Sequence, residues 1–187
     1  MAPPLLVIIT GLPCTGKTTL SRQLAAELGL PLIAKDDIKE RLFDSLGWSD
    51  REWSKKLGGA TFALLFYFIE IEVSVGRSLI TESRFFPQFD LPHFQAIQQR
   101  HPFRPLVIEC VADGKILFDR FVRRSESGER HPGHVDHTSY AEVQKVFYAE
   151  QTPFKLGEKY IQVNTNNFDQ LDLQALVAAV RAEMEEP

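Results

Sequence analysis

Apolar positions along the chain follow two rhythms. Short runs dense in Val, Ile and Leu stand at Leu5 to Thr10, Pro31 to Ala34, Ser78 to Thr81, Pro105 to Val111 and Tyr160 to Val163, and predict five strands. Between them, apolar residues return every three or four positions. Leu20, Leu24 and Leu28 mark a helix from about Gly16 to Leu28, with Gly29 as its stop. Further helices are predicted over Lys35 to Gly47, from a Ser49 to Glu52 capping box to about Val75, and over Leu91 to Arg100. Another is capped by Asp113, and one runs from a second capping box, Ser139 to Glu142, to about Glu150. Leu173, Leu176, Val177, Val180 and Met184 form the closing amphipathic stripe. Strands alternating with helices predict a parallel sheet covered on both faces, a three-layer α/β/α sandwich.

The long helix departs from a simple stripe. Trp53, Leu57, Ala60, Leu64 and Phe68 hold one face, but Phe62, Leu65, Phe66, Tyr67, Ile69 and Ile71 make it apolar nearly all round. Such a helix is expected to be buried, with an acceptor pocket or a dimer contact as the sharper use. Its apolar core, Ala60 to Ile69, is interrupted by Thr61 and stopped by Glu70, and is expected to fall short of a membrane span. No basic region precedes Leu5 to Thr10, so a signal peptide is not expected and a cytoplasmic location is.

At 187 residues the chain fits one domain, 1–187, with 44% hydrophobic and 25% charged residues, ordinary values that argue against disorder. With 21 basic against 25 acidic residues the net charge is -4, which disfavours a surface coated for nucleic acid and leaves room for a local basic patch. Cys14 and Cys110 are far apart and give no disulfide framework.

Candidate chemistry begins directly after the first strand. G-L-P-C-T-G-K-T, Gly11 to Thr18, sits between a strand and a helix, the context in which a P-loop match is meaningful. Gly11 and Gly16 let backbone N–H groups turn inward around phosphate oxygens, and the following helix directs its positive end at the same anion. Lys17 is placed to reach the terminal phosphates of ATP, and the Thr18 hydroxyl to ligate Mg²⁺. Pro13, Cys14, Thr15 and Thr19 complete the nucleotide-binding stretch, Cys14 as filler of a variable position and Thr19 chiefly as ordinary helix.

Other candidates follow other strands. Asp36 and Asp37 open the second helix; Asp37 with Glu40 has a cap's spacing, which leaves Asp36 as the freer carboxylate to accept a proton from an attacking hydroxyl. Glu82 ends the third strand, where an acid can orient Mg²⁺ or hold a substrate hydroxyl. Arg120, Arg123 and Arg124 share a helix face before a Gly-bearing polar stretch, about 125–139, which reads as a mobile lid. Its His131, His134, Asp136 and His137 suggest a metal, but Pro132 and Gly133 break any helix that would present them together, and contacts with substrate or lid backbone are expected instead. Asn164, Thr165 and Asn166 follow the last strand as a turn or as partners for a purine.

Taken together, G-L-P-C-T-G-K-T-T at Gly11, K-D-D-I-K at Lys35, I-T-E-S-R-F at Ile80, and R-x-x-x-R with R-H-P-G-H in the lid resemble a family of small P-loop kinases. It includes polynucleotide 5'-hydroxyl kinases, chloramphenicol phosphotransferase, zeta toxins and AAA-type kinases. The resemblance implies a P-loop NTPase fold, Lys17 and Thr18 at phosphate and Mg²⁺, Asp36 as general base, and Arg120, Arg124 and Arg130 at nucleotide or phosphate. Lys39 matches a basic residue that some members use beside the acceptor. Glu82 departs from the Asp usual in polynucleotide kinases. The expected activity is ATP- and Mg²⁺-dependent phosphorylation of a small-molecule hydroxyl. The alternatives are a 5'-hydroxyl kinase of RNA or DNA, and a nucleotide-binding regulatory ATPase.

Overall fold

The computed structural model describes residues 2–128, 130–135 and 140–186. Five strands, β1 (Leu5–Gly11), β2 (Leu32–Ala34), β3 (Leu79–Glu82), β4 (Arg104–Val111) and β5 (Tyr160–Asn164), form one sheet in the order β2-β3-β1-β4-β5. Every pairing is parallel. Seven α-helices lie among the described residues: α1 (Lys17–Leu28), α2 (Lys35–Leu46), α3 (Arg51–Ser74), α4 (Pro87–Arg100), α5 (Gly114–Ser127), α6 (Tyr140–Tyr148) and α7 (Leu173–Glu185).

The pleat of β1 divides the core. Leu5, Val7 and Ile9 face Leu20 and Leu24 of α1 and Leu176, Val177 and Val180 of α7. Leu6 and Ile8 face the opposite layer, built on Leu65, Ile69 and Val73 of α3 and Phe94 and Ile97 of α4. All seven residues of β1 are buried, as a strand covered on both faces requires. A smaller cluster, Leu117, Phe121 and Phe147, joins α5 to α6 and reaches Leu12 and Cys14 after β1.

Several local expectations are corrected. Asp50, not Ser49, caps α3, accepting the Trp53 N–H at 2.9 Å. The helix begins one residue later than the box implied, so Asp50 rather than Ser49 stands at the position whose side chain reaches the orphan donor. Helix α4 starts at Pro87, with Pro at its first turn and the Asp90 carboxylate accepting the Phe86 N–H at 2.6 Å. Asp113 precedes α5 without a side-chain cap. Ser139, the expected cap of α6, lies outside the described residues.

Helix α3 is covered on one side only. Leu57, Leu65, Phe66, Ile69 and Val73 are buried, whereas Tyr67, Phe68, Ile71 and Val75 are exposed. By length and composition alone it is apolar enough to cross a membrane, a property that core helices of globular folds share. It is not a clear membrane span, and in this fold its buried face packs on the sheet.

Phe94 lies where packing is densest, with ring centroids of Phe66 and Phe85 at 5.1 Å and of Phe154 at 5.7 Å. Phe94→Ala is expected to cost about 3–5 kcal/mol, because the three surrounding rings cannot close around the void. Urea unfolding followed by far-UV circular dichroism measures it, and a loss below about 1 kcal/mol would show that the layer repacks.

Candidate active site

Strand register, more than any loop, assembles the site. Ile9 of β1 is level with Glu82 of β3 and Ile108 of β4, and Ala34 of β2 is level with Glu82. The strands thus end at one height, and the segments leaving them surround a cavity of about 860 Å³. The phosphate loop, the start of α2, the end of β3 and the cationic face of α5 line it.

The loop after β1 is tightly specified. A Cβ on Gly11, at φ 143°, would lie 2.3 Å from the Cys110 carbonyl oxygen, and one on Gly16, at φ 81°, would lie 2.7 Å from the Phe168 ring. Cys14 adopts φ 66°, a strained left-handed conformation without a glycine's freedom. Thr15 is buried and donates its hydroxyl to the Leu12 carbonyl oxygen at 2.9 Å, so its side chain staples the loop. Pro13, Cys14, Gly16, Lys17, Thr18 and Thr19 line the cavity, while Gly11 and Thr15 lie behind them. Cys14 and Cys110 are unlinked, and burial pushes the Cys110 thiol up to about 12.

Lys17 and Thr18 meet Glu82. Lys17 Nζ lies 3.8 Å from Glu82 Oε1, and the Thr18 hydroxyl donates to Glu82 Oε2 at 3.1 Å. Burial pushes the Glu82 carboxyl above its ordinary value, against the pull of Lys17. A hydroxyl and a carboxylate side by side next to a phosphate loop are the hard-oxygen donors that suit Mg²⁺, which usually takes its remaining ligands from phosphate and water. Among the described residues no group of three or more His, Cys, Asp or Glu converges as a metal site. Asp136 and His137 lie outside the described residues.

The two carboxylates of α2 separate cleanly. The helix starts at Lys35 with no side-chain cap, so Asp37 is not a cap; it accepts from Arg22 at 2.9 Å on an exposed edge. Asp36 takes Lys35 Nζ on Oδ1 at 2.9 Å and the Arg130 guanidinium on Oδ2 at 2.8 Å. Burial would raise its carboxyl, but Lys35 and Arg130 more than offset that and hold it far below the usual carboxylate range.

Lys39 is not brought to the site. It is buried between α2 and α3, donates to Ser54 Oγ at 2.9 Å and lies 5.2 Å over the Phe43 ring. It lies one turn farther along α2 than Lys35, away from the strand ends and against Ser54 of α3. Arg120 lines the cavity but acts as a clamp, donating to the carbonyl oxygens of Thr165 at 2.8 Å, Asn166 at 3.2 Å and Cys14 at 3.4 Å. Arg124 also lines it, with its guanidinium over the Phe121 ring. The amides expected near a purine serve the backbone: Asn164 Oδ1 accepts from Asn166 N–H and Asn166 Oδ1 from Asp113 N–H.

The expected lid, 125–139, starts later than the sequence implied: residues 125–127 are the last turn of α5, and residues 130–135 dock on α2. A Cβ on Gly133 would lie 2.7 Å from the Phe43 ring, so only glycine fits beneath it. His131 stacks on the same ring, with centroids 5.1 Å apart, and its Nε2 lies 3.3 Å from Asp44. Arg130 lies 3.0 Å from His134 Nδ1, and His134 Nε2 lies 3.0 Å from Glu40. Arginine can only donate, so Nδ1 accepts and Nε2–H donates to the carboxylate; the neutral ring satisfies both. Burial, then Arg130, lowers the His134 pKa to about 2.

Arg84 is the cavity residue that motif reading passed over. It lines the cavity beside Glu82 and Ser83, its guanidinium 4.4 Å from the Phe86 ring centroid. The I-T-E-S-R-F stretch contained it, but only its partial burial without an acidic partner among the described residues sets it apart from a surface arginine.

A family model described as an AAA domain matches residues 6–149. Among solved structures, a candidate kinase from Chloroflexus aurantiacus is 42% identical, with a TM-score of 0.91 over 96% of this chain and 98% of that one. An APS kinase from Mycobacterium tuberculosis, solved with AMPPNP and APS, shares the fold at 14% identity and a TM-score of 0.59, covering 100% of both chains. So does an unliganded sugar kinase from Janibacter, at 14% identity and a TM-score of 0.58 over 98% of this chain and 96% of that one. No curated protein matches the chain.

Protonation of His134 should undock the segment. Its pKa falls from 6.5 in the unfolded chain to about 2 here, so the unfolded state binds the extra proton between those values. The contribution is therefore complete above the unfolded value and is lost as pH falls below it. His134→Gln, which cannot titrate, is expected to flatten the drop in Tm between about pH 7 and pH 5. Parallel Tm profiles for the two proteins would show that this ring does not govern the acid loss.

Proposed function

The chain belongs to the AAA domain family, and from that premise we propose that it is a kinase transferring the γ-phosphate of ATP to a hydroxyl of a small molecule. The observation that carries this reading is a shared cavity: the phosphate loop, Asp36 and the arginines of α5 and of the docked segment open onto one space. Backbone N–H groups from Gly11 to Thr18 and the start of α1 hold the phosphates, and Lys17 balances charge at the transferring group. Thr18 and Glu82 would hold Mg²⁺, which when bound would neutralise charge on the phosphate oxygens.

Asp36 is the group proposed to accept the acceptor's proton. A carboxylate held so far below its usual range is a weak base, so Arg130 must leave it for proton transfer to be useful. Movement of Arg130 from Asp36 to the transferring phosphate would do both things at once: it relaxes the carboxyl upward and brings a cation to developing charge. The net charge of -4 favours a small acceptor over a nucleic-acid backbone.

A screen of γ-labelled ATP against sugars, nucleosides, aminoglycosides, amphenicols and 5'-hydroxyl oligonucleotides tests the class. Labelled small-molecule product is expected; label on oligonucleotides alone would transfer the assignment to a 5'-hydroxyl kinase, and acceptor-independent hydrolysis to a regulatory ATPase. With a working acceptor, Asp36→Asn should lower kcat by on the order of 10²- to 10⁴-fold. Near-normal transfer would remove Asp36 as the base. Arg130→Gln removes a cation 2.8 Å from Asp36 in the free enzyme, so the acid limb of the kcat/KM profile should move to higher pH. An unmoved limb would separate the two residues.

A further inference from the structure

The segment from Ser83 to Phe86 is pinned at each end. Ser83 N–H donates to the Ile9 carbonyl oxygen at 3.2 Å, and Phe85 N–H donates to the Thr10 hydroxyl at 3.1 Å. Phe85 is buried in the aromatic layer, and Asp90 fixes the Phe86 backbone. Arg84 is held between these anchors, and Phe86 supports its guanidinium from one side.

Most other cations around the cavity are engaged or exposed. Lys17 faces Glu82, Arg22 faces Asp37, Lys35 and Arg130 share Asp36, Arg120 donates to three carbonyl oxygens, Arg124 lies over the Phe121 ring, and Arg123 stands exposed on α5. Arg84 has no ion pair with an acid among the described residues, and burial alone, unopposed by any carboxylate, lowers its pKa. Beside it, the Ser83 hydroxyl is buried with no hydrogen-bond partner among the described residues. A partly desolvated guanidinium and an orphan hydroxyl on adjacent residues are each unfavourable alone. An oxyanion resolves both, because it accepts from the hydroxyl and from the fork of guanidinium N–H groups.

Their position assigns that oxyanion to the acceptor. Arg84 follows β3, on the same side of β1 as β2 and Asp36, whereas the α5 arginines follow β4 on the other side. Phe62 and Phe86 line the same cavity and supply apolar wall. Resting on the kinase reading, we propose that the phosphate acceptor is itself an acid: a hydroxyl compound bearing a carboxylate or a phosphate or sulfate ester, whose anionic group sits on Arg84 and Ser83. Asp36 and the anion site then lie just beyond the ends of β2 and β3, neighbouring strands, so one compact molecule can present its hydroxyl to the first and its anion to the second.

Two measurements test this separately from the kinase assignment. Sulfate is titrated at constant ionic strength into the full chain saturated with AMPPNP and Mg²⁺, following the Arg84 side-chain ¹⁵N resonance assigned by its loss in Arg84→Gln. A saturable shift is expected, weakened in Ser83→Ala. A response that never saturates overturns the anion site, whether or not transfer occurs. Labelled transfer is then compared within matched pairs: gluconate with glucose, shikimate with its methyl ester, and glucose 6-phosphate with glucose. The carboxylate and phosphate members distinguish the two sources of charge. For the active acid, Arg84→Gln should raise KM roughly 10- to 100-fold while KM for ATP is unchanged, with Arg84→Lys in between. Equal kcat/KM for acid and neutral members overturns the proposal and leaves the kinase standing. Failure of AMPPNP to bind strikes the kinase reading, and the Arg84 response to sulfate then decides the anion site alone.

Discussion

β1 has a hydrogen-bonded strand on each side and a hydrophobic cluster on each face, so its carboxyl end is the most constrained point of the chain. Everything chemically interesting is referred to that point. The loop leaving it passes so near β4 that a Cβ on Gly11 would meet the Cys110 carbonyl oxygen, and the end of β3 is tied to it through Ser83 and Phe85. A parallel sheet buried on both faces tolerates no slip of one residue, since a slip would exchange the two cores. The separation of Thr18, Glu82 and Asp36 is therefore set by backbone hydrogen bonds, and side chains only complete it.

Against this rigid edge, residues 130–135 are held by contacts of a different kind. The ion pairs of His131 with Asp44 and Arg130 with Asp36 include partly exposed partners, and such pairs contribute about 0–1 kcal/mol each. The ring of Phe43, with Gly133 beneath it and His131 stacked on it, adds packing but little area. Val135 closes the segment at φ 49°, a conformation a β-branched side chain adopts at a cost of order 1–3 kcal/mol. Weak attachment and stored strain make undocking inexpensive compared with any distortion of the sheet. The cluster of Leu117, Phe121 and Phe147 keeps α5 and α6 together.

What could be read from the chain was whatever is encoded within a few residues. The strand, glycine loop and helix from Leu5 to Leu28 carry their own geometry, and alternating elements implied the three layers that the sheet order and the AAA domain match show. Caps were misplaced by one residue at Asp50, because Ser49 and Asp50 offer the same chemistry and only the helix phase chooses between them. Lys39 was misassigned for a similar reason: its motif says basic residue on α2, but its direction depends on where α3 lies. Asp36 and Asp37 differ in sequence only by a cap's spacing to Glu40, and in the fold through Lys35 and Arg130 against Arg22. Arg84 was invisible as a special residue because its distinction is a missing partner, which no local pattern records.

These two arginines suggest an order of events on the proposed reading. Arg130 occupies Asp36 while the segment is docked, whereas Arg84 is fixed by the β3 loop and has no acid to leave. An anionic acceptor can therefore bind Arg84 before the segment moves, at no cost in broken ion pairs. Its hydroxyl then competes with Arg130 for Asp36, a hydrogen bond against a charge-assisted one, and loses unless Arg130 gains a better anion elsewhere. The terminal phosphate of bound ATP is such an anion, carrying more charge than one carboxylate. Release of Asp36 thus requires nucleotide and acceptor together, which would tie phosphate transfer to the presence of the acceptor and restrain hydrolysis by water.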